Sequence, residues 1–166
     1  MLFNSLDFAI FLPVVFGLYW FVFQNSLRFQ NLLIVVASYV FYGWWDWRFL
    51  FLIGFSTLVD FLVGNRLAVT NNPVQKKVLL WVSIGVNLGL LGFFKYFNFF
   101  IDNFVEAFTF FGGSIKGSHL NIILPVGISF YTFQTLSYTI DVYRKKLTPT
   151  QDFIAFSAFV SFFPQL

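Results

Sequence analysis

The sequence predicts an all-α fold: a polytopic transmembrane helical protein of about five spans plus an interfacial helix and the start of a sixth apolar helix, forming part of one membrane domain over residues 1–166. Three observations carry that expectation. The 166 residues are 58% hydrophobic and 24% aromatic, with 28 phenylalanines, yet only 10% are charged. A water-soluble domain needs about a quarter of its residues charged to cover its surface, so a soluble globule is excluded, and a disordered chain fails for the same reason. Second, the apolar residues gather into runs close to the roughly 20 residues that cross a bilayer. Third, the ten Lys and Arg fall between those runs, where they make no continuous basic face for nucleic acid and read as a topology signal.

The first run is residues 6–23. No basic side chain precedes it and no small-residue cleavage site follows Phe23, so it reads as a retained span rather than a signal peptide. The second and third runs, 31–45 and 49–64, are short. Their ends are expected in the interface, with Tyr39, Tyr42, Trp44, Trp45 and Trp47 as an aromatic belt. Asn71, Asn72 and Pro73 favour a turn in the polar linker 65–77. The fourth run, 78–94, carries Asn87 with Gly85, Gly89 and Gly92, a pattern for close helix packing around one interhelical hydrogen bond.

Over residues 96–111, Phe97, Phe100, Phe104, Phe108 and Phe111 share one helical face while Asp102, Asn103 and Glu106 share the other. That division suits a helix lying in the interface. The fifth run is 120–143, and a sixth begins at Phe153. Counting cations by loop places the N-terminus outside. Arg28, Arg66, Lys76, Lys77, Arg144, Lys145 and Lys146 then lie inside, against Arg48, Lys95 and Lys116 outside.

Two ionisable residues fall within runs, at a cost of about 2.5–3.5 kcal/mol each on insertion scales. Asp60 is expected to snorkel or to end its helix at the cytoplasmic interface, and Asp141 lies near the end of the fifth run. That run, LPVGISFYTFQTLSYTIDVYRKK, opens with Pro125 and Gly127, which loosen its first turn. Wound at about 100° per residue, it places Tyr131, Gln134, Tyr138 and Asp141 on one stripe, with Thr132, Thr135 and Thr139 beside it. Phe133, Leu136 and Ile140 lie opposite. A half-polar span turns its polar half to protein or water. Either the stripe lines a passage for a polar substrate or its side chains bond neighbouring helices.

The residue counts also exclude chemistry. Without cysteine there is no disulfide, thiolate nucleophile or Cys-bound zinc. With His119 as the one histidine, a multi-histidine metal site within the chain is excluded. His119 sits in GGSIKGSHL, a loop sequence, and supports no Ser-His-Asp set. Asp102 and Glu106 at i, i+4 read as a solvated helix face rather than an enclosed catalytic pair. Gly112 and Gly113 lack the Lys and Ser of a phosphate loop.

Several segments together resemble the membrane-bound O-acyltransferases, in the branch of the bacterial alginate O-acetyltransferases. They are MLFNSLDFAIFLPVVFGLYW at 1–20, ASYVFYGWWDWRFL at 37–50, GFFKYFNFF at 92–100, LPVGISFYTFQTLSYTIDVYRKK at 124–146 and SFFPQL at 161–166. The resemblance implies a multi-pass protein of the bacterial inner membrane. It also implies transfer of an acyl group, acetyl first among them, from a cytoplasmic donor such as acetyl-CoA toward hydroxyls of an exported polysaccharide such as alginate.

The family's catalytic histidine lies in a later Trp-His-Gly type segment with no counterpart here, so no catalytic residue is carried over. The chain is then expected to be the N-terminal part of its domain and inactive alone. Its implied partners are the bilayer, the rest of its own polypeptide, an extracytoplasmic acetyltransferase and the acyl donor or carrier, with no resident cofactor or metal. Tyr131, Gln134, Tyr138 and Asp141 are the candidates for lining the substrate funnel. Arg144, Lys145 and Lys146 are the candidates for contact with an anionic carrier or lipid. The alternative from another class is a fragment of a transporter or channel whose polar stripe passes a small polar solute.

Overall fold

The computed structural model describes residues 5–44, 47–110 and 127–164, which are helical with no strand among them. Helix α1 spans Leu6–Gly17 and runs on as one π-helical segment, Leu18–Val22. Then come α2, Leu27–Gly43; α3, Trp47–Val69; α4, Pro73–Phe110; α5, Ile128–Tyr143; and α6, Phe153–Val160.

Short polar residues set most of the starts. The Ser5 hydroxyl accepts from the Phe8 amide at 3.2 Å, and Asp7 sits in the first turn, where a negative charge suits the helix dipole. Asn72 accepts from the Val74 amide at 2.9 Å just ahead of Pro73, whose missing N–H costs nothing at the first helical position. Asp152 caps α6 through the amides of Ile154 and Ala155. Gly127 enters α5 at φ 76°, a left-handed conformation that a side chain resists.

The helix ends are equally local. Lys146 donates its amide to the Asp141 carbonyl and Lys145 to that of Val142, the Schellman pattern, with Lys145 itself at φ 59° where glycine is usual. Helix α6 stops at Val160 because the chain is drawn elsewhere. The Phe163 amide donates to the Ser38 hydroxyl of α2 at 3.1 Å, and Pro164 has no amide to offer. The sixth apolar run is therefore an eight-residue helix followed by a docked segment. Phe163 joins Phe8, Phe11 and Phe41 in an aromatic cluster of edge-to-face and tilted rings between α1 and α2.

Helix α3 is central, packing against α2, α4, α5 and α6. Gly64 lets it approach α5: a Cβ there would stand 3.0 Å from the Tyr138 ring. By contrast, a Cβ at Gly85, Gly89 or Gly92 meets nothing within 4 Å among the described residues. The close glycine contact thus belongs to α3, not to the fourth run.

Two stretches, Trp47–Val69 and Pro73–Tyr96, are long and apolar enough to cross a membrane, while Leu6–Val22 and Leu27–Gly43 are shorter apolar helices. Large side chains such as Leu6, Phe21, Trp47 and Phe51 are more than 70% exposed, a surface that suits lipid and not water. Trp44 and Trp47 lie in this outer surface, but Tyr42 is buried and leaves the expected belt for the core.

The separate interfacial helix expected at 96–111 is instead the continuation of α4, which runs unbroken for 38 residues, about 57 Å. No Gly or Pro intervenes between Gly92 and Gly112 to stop it. Asn103, its amide donated back to the Phe99 carbonyl at 2.6 Å, supports the helix rather than ending it. The side chains of Asp102, Glu106, Phe97, Phe100, Phe104 and Phe108 lie outside the described residues, as do Trp45, Phe111, Gly112, Gly113, Lys116, His119 and Pro125.

Candidate functional site

Helix α5 presents two polar faces with opposite fates. One opens on a groove of about 640 Å³ bounded by α5, α6 and the segment after α5. Phe130, Phe133, Leu147 and Phe159 form its apolar walls, and Ser129, Gln134, Ser137, Tyr138 and Asp141 supply its polar edge. The structure thus brings together three of the four residues expected to line a passage. Gln134, Tyr138 and Asp141 follow one another at the i, i+4, i+7 spacing of a single helical stripe.

Tyr131 is the exception. It is 1% exposed and belongs to the apolar core with Ile53 and Phe156, so it does not line the groove. Winding the sequence at 100° per residue puts it on the stripe, but α5 begins at Ile128, and this first-turn residue is covered by the helices packed beside it.

Gln134 is anchored at one end only. Its Nε2 donates to the Phe159 carbonyl of α6 at 2.8 Å, while its buried Oε1 has no partner among the described residues. The Tyr138 ring packs on Phe156 at 4.7 Å between centroids and against Gly64. Asp141 is half-buried at the far end of the stripe. Arg144, Lys145 and Lys146 are exposed immediately beyond it, where the Schellman turn carries the chain back to Leu147 on the groove wall. The result is a partly open, amphipathic slot: apolar on its sides, hydrogen-bonding along its base, and cationic just past one end. It suits an extended molecule with a polar or anionic end. Among the described residues, the groove serines Ser129 and Ser137 have no histidine beside them to serve as base.

The other polar face of α5 is closed. Thr135 and Thr139 are fully buried against Ser56 and Asp60 of α3 and Ser83 and Asn87 of α4. Asn87 uses its whole capacity. Its Oδ1 accepts from Ser56 at 2.8 Å and from Thr135 at 3.2 Å, and its Nδ2 donates to Asp60 Oδ2 at 2.8 Å and to the Ser83 carbonyl at 3.0 Å. The Ser83 hydroxyl donates to Asp60 Oδ1 and lies 3.4 Å from Thr139 Oγ1.

Asp60 is therefore not a snorkelling or helix-ending carboxylate. It is 0% exposed in the middle of a 23-residue helix, where hydroxyl and amide donors replace water. Nor does Asn87 make one interhelical bond. It joins three helices. Sequence reasoning missed this cluster, although a signal was present: Ser56 and Asp60, Ser83 and Asn87, Thr135 and Thr139 are each an i, i+4 polar pair on an apolar helix, one pair per helix.

Comparison with known proteins matches the whole chain. It is 43% identical over 171 aligned positions to the probable alginate O-acetylase AlgI of Pseudomonas putida, covering all of this chain and 34% of that protein. The corresponding protein of Pseudomonas aeruginosa is 43% identical over 170 positions, with 32% of its length covered. The peptidoglycan O-acetyltransferase of Helicobacter pylori is 34% identical over 197 positions, with 36% covered. The chain thus spans about a third of the length of the curated relatives it matches. No family model and no solved structure matches it.

Proposed function

We propose that this chain forms part of a membrane O-acyltransferase, and that the α5–α6 groove is one wall of the path along which an acyl group reaches hydroxyls of an exported polysaccharide. The whole-length similarity to proteins named alginate and peptidoglycan O-acetyltransferases carries this reading. The groove supports it independently, because an activated acyl group on a carrier arm is an extended amphipathic molecule. Acetyl is the acyl group and alginate the acceptor that the first of these names favours, with acetyl-CoA or another acyl donor supplied from the cytoplasmic side.

In this scheme Gln134 and Asp141 hydrogen-bond the polar part of the passing group, and Tyr138 shapes the slot between them. Arg144, Lys145 and Lys146 attract the anionic part of the donor, its carrier or anionic lipid. In this reading that end lies inside and the N-terminus outside the inner membrane, as the cation bias favours. Deprotonating the accepting hydroxyl needs a general base, which we assign to polypeptide outside these 166 residues, together with an extracytoplasmic partner acetyltransferase. The 166 residues alone then transfer nothing.

The test is O-acetylation of the exported polymer by cells carrying the full-length protein. Asp141→Asn, which keeps shape and removes charge, is expected to lower acetyl content about tenfold at unchanged membrane abundance. Unchanged acetylation by that variant, or transfer by the 166 residues alone, overturns the assignment.

A further inference from the structure

Between two membrane helices there is no hydrophobic driving force, since lipid is as apolar as leucine. Apolar contacts therefore leave the rotation of one helix against another weakly specified, and directional bonds are what fix it. Helix α5 has such bonds to α6 and α4 through Gln134 and Ser129, but its buried side-chain cluster faces α3 and α4. The Thr135 hydroxyl shares its hydrogen between Asn87 Oδ1 at 3.2 Å and the Thr132 carbonyl of its own helix at 3.1 Å, and Thr139 lies 3.4 Å from Ser83. Asn87 and Ser83 are held in turn by Asp60. Gln134 and Tyr138 each precede one of these threonines by a single residue, about 100° round the helix.

We infer that the buried Asp60–Asn87 cluster is a rotational lock: by fixing Thr135 and Thr139 against α3 and α4, it aims Gln134, Tyr138 and Asp141 into the groove. Asp60 and Asn87 are thus positioning residues for acyl transfer, a role that rests on the function proposed above, whereas the lock itself does not.

The bonding pattern permits a reciprocal test. In Asn87→Asp a carboxyl group meets the Asp60 carboxyl across what was a 2.8 Å hydrogen bond. With both ionised they repel; with one proton shared they close to a shorter O–H···O bond. In either state the spacing of α3 and α4 is not kept and the Ser83 carbonyl loses its donor. In Asp60→Asn an amide N–H₂ faces the Asn87 N–H₂ until one of them flips, which costs other bonds. In the double exchange Asp60→Asn with Asn87→Asp, the new amide donates to the new carboxylate. That carboxylate still accepts from Ser56 and Thr135, and the residue 60 carbonyl oxygen still accepts from Ser83. The exchange is not complete: the Ser83 backbone carbonyl loses its donor and meets a carboxylate oxygen in its place, and the second N–H of the new amide gains no acceptor in the cluster.

The experiment uses the full-length protein in membranes, with cysteines at Gln134→Cys and Phe159→Cys as reporters. Those two positions are joined by a hydrogen bond across α5 and α6, and a short bis-thiol reagent reads their alignment without reference to activity. Acyl transfer is measured in parallel without the reporters. Asn87→Asp is expected to slow cross-linking and transfer about tenfold each, and the double exchange to restore both to within about threefold.

Wild-type cross-linking in Asn87→Asp overturns the lock, as does a double exchange no better than the worse single. If Asn87→Asp fails to accumulate, the double exchange decides alone: wild-type-like cross-linking upholds the lock and impaired cross-linking overturns it. Should cross-linking follow the exchange while transfer is indifferent both to it and to Asp141→Asn, the lock stands and the transfer reading falls.

Discussion

The two polar faces of α5 are built from similar residues and end in opposite states. Thr135 and Thr139 are fully buried among polar partners on α3 and α4, so the face is closed. Gln134 binds α6 with its nitrogen while its oxygen has no partner among the described residues, and Asp141 remains half-buried in an open slot. A satisfied network gives rigidity and specifies one arrangement. An unsatisfied edge keeps hydrogen-bonding capacity for something that comes and goes. Structure and chemistry are thus divided between two sides of one helix: substitutions on the closed face should act on stability first, and those on the open face on transfer first.

The largest effect is expected from breaking the closed face. Asp60→Ala removes the acceptor for Asn87 Nδ2 and leaves a cavity, while the Ser83 hydroxyl can turn toward Thr139. One orphaned buried donor and lost packing together cost about 3 kcal/mol. A fall in the unfolding midpoint of the detergent-solubilised full-length protein measures it, and a midpoint equal to wild type contradicts the closed-face account. Gly64→Val comes next. Its Cβ would stand 3.0 Å from the Tyr138 ring, and the branching methyls have no room, so overpacking costs about 2 kcal/mol. Because Tyr138 also lines the groove, this substitution should lower transfer as well. Gly64→Ala, needing a shift of only a few tenths of an ångström, should fall between it and wild type in both respects.

Much of this architecture is legible in the sequence. The described residues of the apolar runs at 6–23, 31–45, 49–64 and 78–94 are helical except at the run ends Phe23 and Trp44, because a run of such residues without Gly or Pro pairs has no cheaper state in lipid. Their ends were less legible. Nothing in the periodicity of 96–111 distinguishes a separate surface helix from a continuation of α4, since both have the same period, and only a breaker residue would have told them apart. The end of α6 depends on Ser38, distant in sequence, taking the Phe163 amide.

At the site, helical winding found Gln134, Tyr138 and Asp141 together but misplaced Tyr131. A wheel gives the angle of a residue and not what covers it. Asp60 was misread for a related reason: its distance from Arg66 suggested an interfacial carboxylate, whereas its partners Ser83 and Asn87 lie on another helix at no fixed sequence offset.

The open face offers the contrary result. Gln134→Leu loses the bond to the Phe159 carbonyl, about 1 kcal/mol, but also removes an unpaired buried oxygen. Stability should change by less than about 0.5 kcal/mol while transfer falls about tenfold. Thermal unfolding and polymer acetylation, measured on the same preparation, separate the two. A large loss of stability with proportionate loss of transfer would assign Gln134 to packing and erase the contrast between the faces.

The smallest effect tests the boundary between the faces and the cationic end of the groove. Lys145 holds φ 59° in the Schellman turn, a conformation that costs a residue with a Cβ about 1 kcal/mol relative to glycine. Lys145→Gly should therefore raise the unfolding free energy, though by less than that amount because glycine also gains freedom in the unfolded chain. If Lys145 attracts the anionic end of the donor, the same substitution should raise the apparent KM for donor several-fold with kcat little changed, and added salt should weaken wild type toward the variant. Increased stability with weakened donor affinity is a combination that a purely structural lysine does not produce. Increased stability with unchanged KM would confine the contribution of Lys145 to the turn and leave Arg144 and Lys146 to carry the attraction.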